Sequence, residues 1–261
     1  MAICAMMCGF DTWSEITLFA QEREPWFRRW LSLPGGIPSH DTFNRIFATL
    51  PPASLKSIFQ AWIGDIMGDD KLVGQLAVDG KALRATAKGR GANAVHMVNV
   101  WSTELGMCVG QQKVADKSNE ITAIPELLQL LELKGCLVSI DAMGTQVKIA
   151  DTILKKSGDY LLAVKDNQPS LNTEVKEQFQ AYWDKNETDV SGHGFTEQFD
   201  SEHGRKEHRR CWVLMVDESM PVCQQWKAKT IIAVQAERIE NGKGYDFVRF
   251  YISSRALDAT S

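Results

Sequence analysis

Leu76-Ala-Val-Asp-Gly-Lys81 is a short apolar run ending in a carboxylate and a glycine, and Cys136-Leu-Val-Ser-Ile-Asp141, followed by Ala-Met-Gly144, is a second. Each reads as a buried strand that delivers an aspartate to its end. Between them, residues 94–101 and 107–114 alternate like strands, with Thr103-Glu-Leu-Gly106 as the hairpin turn. A helix is expected from Ile124 to Leu133, with Pro125 in its first turn. After Asp141 the pattern predicts a helix over 145–156, a strand over 160–164 and a helix over 170–183.

The resulting order is β-β-β-α-β-α-β. Short links make the first three strands an antiparallel meander, and helical crossovers make the last two parallel. That is an α/β fold with a ribonuclease-H-like mixed sheet as its core. The sequence before it reads as helical, with apolar stripes on Trp13, Ile16, Leu18 and Phe19, then on Trp26, Phe27, Trp30 and Leu31. Ser39 or Asp41 can cap a further helix, and Pro51-Pro52 opens the next. Beyond Asp189, strands are expected over 198–201, 208–216, 230–236 and 246–253. The expected organisation is an all-helical domain (1–70), the mixed-sheet core (71–188) and a C-terminal β-rich insertion (189–261).

At 261 residues, with 44% hydrophobic and 24% charged side chains, the chain can bury a sizeable core, and wholesale disorder is excluded. Its formal charge is −4, so any nucleic acid must be met by local basic patches. No apolar run approaches the ~18 residues of a membrane span, and the apolar start lacks a basic flank, so neither a span nor a signal peptide is expected. An uncapped apolar helix at Met1 reads as a chain that begins inside an element. Six scattered cysteines (Cys4, Cys8, Cys108, Cys136, Cys211, Cys223) offer no zinc spacing and no disulfide framework. Reduced, mostly buried thiols in a cytoplasmic protein are expected. No P-loop, dinucleotide fingerprint or nucleophile elbow occurs, which leaves NTP hydrolysis, Rossmann redox chemistry and acyl transfer without motif support.

Asp79 and Asp141 are the candidate chemistry. Turn or cap use is the commoner fate of one strand-end aspartate. Two at matching ends of neighbouring central strands would repel unless a cation lay between them, and hard oxygen ligands suit Mg²⁺ or Mn²⁺. In two-metal phosphodiester chemistry the ions sit about 3.5–4 Å apart, activating the nucleophile and stabilising the leaving oxygen. Lys81, Arg84, Lys88 and Arg90 follow Asp79, and residues 76–95 carry four basic and one acidic side chain. Arg205, Lys206, Arg209 and Arg210 form a second basic cluster. Either cluster can meet a phosphate backbone, although a solvated surface is the bland alternative. The helical residues 1–75 carry six basic and eight acidic side chains, a weaker case for DNA contact. Trp101 and Trp212 are expected in the core. Glu120 reads equally as a helix-entry residue, a second-sphere group or a DNA contact.

Several stretches together carry a family resemblance. They are Ala77-Val-Asp-Gly-Lys81 with Arg84, residues 117–128 (Lys-Ser-Asn-Glu-Ile-Thr-Ala-Ile-Pro-Glu-Leu-Leu), residues 134–144, residues 158–168 ending in Lys-Asp-Asn-Gln168, and His203-Gly-Arg-x-Glu-x-Arg209. The chain resembles the H-repeat-associated insertion-sequence transposases of the ISAs type, which have a DDE nuclease domain. The helical segment, with Gly36-Ile-Pro-Ser-His-Asp-Thr-Phe43, looks like that family's N-terminal associated domain. The resemblance implies a divalent-metal enzyme that cuts transposon ends and joins the 3′-hydroxyl to target DNA, with Asp79 and Asp141 as the first two acids. It also implies double-stranded DNA as partner, a homodimer on paired ends, no membrane, and a place with the bacterial nucleoid. A third acid is expected on a helix in a His-Trp-x-Ile-Glu-Asn-like motif, which does not occur; the chain reads as cut short before it. Glu174 and Glu177 come too early in the family's order; a stand-alone nuclease that completes its site with one of them is an alternative. A non-catalytic DNA-binding remnant is the other alternative.

Overall fold

The computed structural model describes residues 1–67, 72–83, 95–114, 120–185, 194–202, 205–240, 243–257 and 259. The chain forms two compact units, Met1–Ile66 and Met67–Ser261.

The first unit is helical: α1 (Ala2–Met7), α2 (Trp13–Glu22), α3 (Glu24–Phe27), α4 (His40–Thr49) and α5 (Pro52–Met67). Local capping explains two of the starts. Thr12 and Glu15 exchange side-chain and backbone bonds in a capping box before α2, and Ser39 Oγ accepts the Thr42 amide before α4. Its small core gathers Ala2, Ala5, Ile16 and Phe43 with Trp13, Phe19 and Phe47 packed on it. The expected apolar stripes are only partly buried: Ile16 and Phe27 are, whereas Leu18, Trp26, Trp30 and Leu31 are exposed.

The second unit is built on one nine-stranded sheet in the order β3-β2-β1-β4-β5-β9-β8-β7-β6. Its elements are β1 (Gly74–Leu83), β2 (Val95–Ser102), β3 (Met107–Val114), α6 (Glu120–Gln129), β4 (Cys136–Ile140), α7 (Val147–Lys155), β5 (Asp159–Val164), α8 (Pro169–Lys185), β6 (Phe195–Glu202), β7 (Arg205–Met215), α9 (Pro221–Gln225), β8 (Thr230–Glu240) and β9 (Lys243–Ser253). β1–β3 are antiparallel, and β4 and β5 add in parallel beside β1. The last four strands extend this same sheet, because β9 pairs antiparallel with β5. Most element ends differ from the sequence reading by a few residues, and three differences stand out. β1 runs past Asp79 to Leu83, since its second half pairs with β2 from Asp79↔Asn99 to Leu83↔Val95. α6 starts at Glu120 rather than Ile124, with Pro125 inside it. α9 stands where only a connection was expected.

One face of the sheet carries the core. Leu76, Val78, Val138, Ile140, Tyr160 and Leu162 are buried there under α6–α9, and the alternating burial of β4 and β5 follows from the two-residue period of a strand. Ring contact of Phe179 on α8 with Phe250 on β9 places α8 on this face. Tyr160, fully buried, ties β5 to the α9 turn by donating its hydroxyl to the Trp226 carbonyl at 2.6 Å. Its carbonyl accepts from Ser253 Oγ at 2.8 Å, which locks β9 alongside. Tyr160→Phe leaves the Trp226 carbonyl buried without that donor. It is expected to lower unfolding free energy by about 1–3 kcal/mol, read from urea midpoints at unchanged slope.

Candidate active site

Asp79 and Asp141 are set side by side by strand register. β1 and β4 pair in parallel from Gly74↔Cys136 to Val78↔Ile140, and the two aspartates are the next residue on each chain. Neighbouring strands lie about 4.8 Å apart, and laterally paired residues point to the same face. Asp141 keeps an extended backbone (φ −69°, ψ 173°), so the alternation continues through it. Val78 and Ile140 face the buried core, so both aspartates project from the opposite face, where they are exposed. Asp79 therefore stands within its strand, not at the end, one residue past the last β1–β4 pair, as Asp141 is on the neighbouring chain segment.

The loop that carries Asp141 is held by a set of side chain to backbone bonds. Asp141 Oδ1 accepts the Gly144 amide at 3.3 Å, closing a 3₁₀ turn over Ala142–Gly144. Thr145, fully buried, donates its hydroxyl to the Ala163 carbonyl at 2.6 Å and so pins the turn to β5. Asn167 Nδ2 donates to the Ala142 carbonyl at 2.7 Å, and Gln168 Nε2 to the Thr145 carbonyl at 2.9 Å. Asp166 in turn accepts from Asn172 Nδ2 at 2.8 Å. The run Asp166-Asn-Gln168 is thus a clamp on the acid-bearing turn. Its only sequence signal was its presence among the stretches of family resemblance.

The other candidates fall elsewhere. Glu174 accepts the Val222 and Cys223 amides at 2.9 and 2.7 Å, holding the start of α9. α8 packs on the core face, so Glu174 and Glu177 lie across the sheet from the aspartates and do not complete their site. Lys81 is exposed two residues beyond Asp79 on the same face of β1. Arg84, Lys88 and Arg90 lie outside the described residues, and of Arg205 and Lys206 only the backbone, in β7, is described. Arg209 pairs with Glu207 at 2.7 Å, and Arg210 with Glu237 at 2.9 Å and Gln235 at 3.1 Å. Being consecutive on a strand, these two arginines project from opposite faces. Trp212 packs among Trp183 and Phe195, but Trp101 is exposed, contrary to expectation. All six cysteines are free; only Cys136 and Cys223 are buried, and Cys8 is exposed. Burial pushes the Cys136, Cys211 and Cys223 thiols up, which keeps them protonated and unreactive.

Comparison with known proteins decides the family. Residues 1–63 match the family described as DDE_Tnp_1-associated, and residues 74–252 match the Transposase DDE domain. The chain belongs to the DDE transposases. "Putative transposase YncI" of Escherichia coli O157:H7 is 38% identical over 267 residues, spanning 99% of this chain and 67% of that protein. "H repeat-associated putative transposase YhhI" of Escherichia coli K12 is also 38% identical, spanning 99% of this chain and 69% of that protein. The expected kinship with the H-repeat-associated transposases is borne out. Among solved structures, the piggyBac transposase synaptic complex with hairpin DNA aligns at a TM-score of 0.41 and 11% identity, over 94% of this chain and 51% of that one.

A DDE domain implies a divalent metal, and the two aspartates fit one. They are adjacent hard oxygen donors, solvent-facing, and neither has a cationic side chain paired to it among the described residues. The described residues hold no group of three or more His, Cys, Asp or Glu suited to a metal, so no third such side chain joins the two aspartates among them. Like charges facing each other across strands are destabilising. Asp79→Asn is therefore expected to raise the melting temperature in chelator at low salt. With millimolar Mn²⁺ present, the wild type is expected to be the more stable of the two. Scanning calorimetry under both conditions checks this inversion.

Proposed function

We propose that this chain is a DDE-type transposase of a bacterial insertion sequence, cutting and joining DNA by metal-dependent phosphodiester hydrolysis and strand transfer. The observation that supports it most directly is the β1–β4 register, which carries Asp79 and Asp141 onto one face at adjacent positions. In this reading both aspartates are catalytic and hold Mg²⁺ or Mn²⁺. Bound there, the metal supplies activation of an oxygen nucleophile and stabilisation of the departing 3′-oxygen. Asp79 is kept in place by its strand and Asp141 by the clamp of Thr145, Asn167 and Gln168. The partner is double-stranded DNA, at transposon ends and target, engaged by a homodimer on paired ends. Lys81 on the aspartates' face of β1, Arg84, Lys88 and Arg90, which follow it in sequence, and Arg205, Arg209 and Arg210 supply phosphate contacts. The protein would act on chromosomal DNA in the bacterial cytoplasm; among the described residues no helix is long and apolar enough to cross a membrane.

A second reading is DNA binding without cutting. It is favoured by the fact that no third metal-binding carboxylate joins the pair among the described residues. One experiment separates the two: the full chain with supercoiled plasmid in Mn²⁺, followed by nicking and by gel shift at several salt concentrations. Nicking by the wild type that falls to background in Asp79→Asn and Asp141→Asn is expected for the transposase. Salt-dependent binding with no nicking establishes the second reading instead, and equal nicking by Asp79→Asn overturns the role of the pair. Lys81→Ala is expected to reduce the slope of log affinity against log salt by about one.

A further inference from the structure

Helix α6 rests on three glycines. Its residues Glu120, Ile124 and Leu127 lie on one helical face, at the spacing that stacks side chains along a stripe. A Cβ at Gly80 would stand 2.5 Å from Glu120 Cδ and 2.6 Å from Oε1, so the carboxylate lies flat on the strand there. A Cβ at Gly144 would meet the Ile140 Cγ2 methyl of β4 first and stand 3.2 Å from Ile124 Cδ1, and one at Gly110 would stand 3.2 Å from Leu127 Cδ1. None of the three glycines has a positive φ, so close approach, not backbone freedom, is what requires them. Two of the three flank the acid pair. Gly80 directly follows Asp79, and the Gly144 amide is the group that Asp141 Oδ1 accepts.

Glu120 is buried, 7% exposed, whereas the other buried residues of α6 (Ala123, Ile124, Pro125, Leu127, Leu128) are apolar. An acid in the first turn complements the helix dipole, and here its carboxylate is carried onto the strand at Gly80. We infer that Glu120 is a positioning residue for the Asp79–Asp141 pair. With its carboxylate seated on Gly80 and Ile124 seated on Gly144, α6 spans the acid-bearing parts of β1 and of the turn after β4, and fixes their spacing. A flat, three-carbon-reach side chain is what the seat takes. Glutamine shares that shape; aspartate is too short, and alanine leaves the seat empty. The inference rests on the metal reading above.

The test is Mn²⁺ affinity, measured by the free-Mn²⁺ resonance signal, for the full chain and for Glu120→Gln, Glu120→Asp, Glu120→Ala, Gly80→Ala and the Glu120→Ala/Gly80→Ala double variant. Thermal melting is run alongside. Glu120→Gln is expected to bind within about twofold of wild type, while Glu120→Asp, Glu120→Ala and Gly80→Ala each bind about tenfold more weakly. The double variant is expected to be no weaker than either single one, because both changes break one seat. Three outcomes overturn the inference. They are replacement of Glu120 by aspartate where glutamine fails, the mark of a dipole effect; Glu120→Ala and Gly80→Ala losses that multiply; and a Glu120→Ala variant with lowered melting but unchanged Mn²⁺ affinity. Failure of the metal reading is distinguishable, since Asp79→Asn would then bind Mn²⁺ as the wild type does. Amide exchange decides the positioning role in that event: Glu120→Ala is expected to speed exchange at both 78–82 and 142–145, and acceleration confined to α6 overturns it.

Discussion

The parallel pairing of β1 with β4 is the constraint on which the rest of the larger unit depends. A parallel pair needs a crossover, and the crossover elements here (β2, β3 and α6) leave β1 and return to its side. The register they enforce, Val78 against Ile140, sends two apolar side chains into the core and the next residue of each strand out of the other face. A slip of one residue would bury one aspartate and separate the pair. Hydrophobic burial therefore fixes the geometry of the acids: Leu76, Val78, Val138 and Ile140 hold the register because exposing them costs about 1.5–3 kcal/mol each.

The two faces of the sheet do different work. α6–α9 all lie on the core face, where Tyr160, Leu162, Val175 and Phe179 are buried among them. The aspartates stand on the other face, together with Lys81, and the elements that hold them reach from the edges. Asn167 and Gln168 follow β5 and bond the turn after β4; Glu120 and Ile124 press on Gly80 and Gly144 from α6. Among the described residues the restraint on these like charges comes from packing and backbone bonds.

Much of the fold was legible because strand and helix periods write themselves into apolar spacing. The runs at 76–78 and 136–140 and the helices around 147–155 and 169–185 follow from residue type alone. What failed was set by partners distant in sequence. β1 continues through Gly80 and Lys81 because β2 pairs with it, and β8 continues to Glu240 because β7 and β9 flank it on both sides. Pro125 suggested a later helix start, yet α6 accommodates it at the loss of one backbone bond. In the candidate site, the two aspartates were readable as a pair from their matching positions. The clamp by Thr145, Asn167 and Gln168 and the seat of Glu120 on Gly80 were not, since each joins segments 18 or more residues apart. The apolar stripes of the helical unit misled for another reason: Leu18, Trp26 and Trp30 sit at plausible spacings but are exposed within it.

That Asp79 and Asp141 together form one divalent-metal site is most directly tested by paramagnetic broadening. Substoichiometric Mn²⁺ is added to the ¹⁵N-labelled chain, and amide signals are followed residue by residue. Selective loss of signal at 78–81, at 99 across the strand and at 140–144 is the expected result. Broadening centred on another carboxylate cluster, such as Glu197 and Glu237 beside His208, with 78–81 and 140–144 untouched, would contradict it.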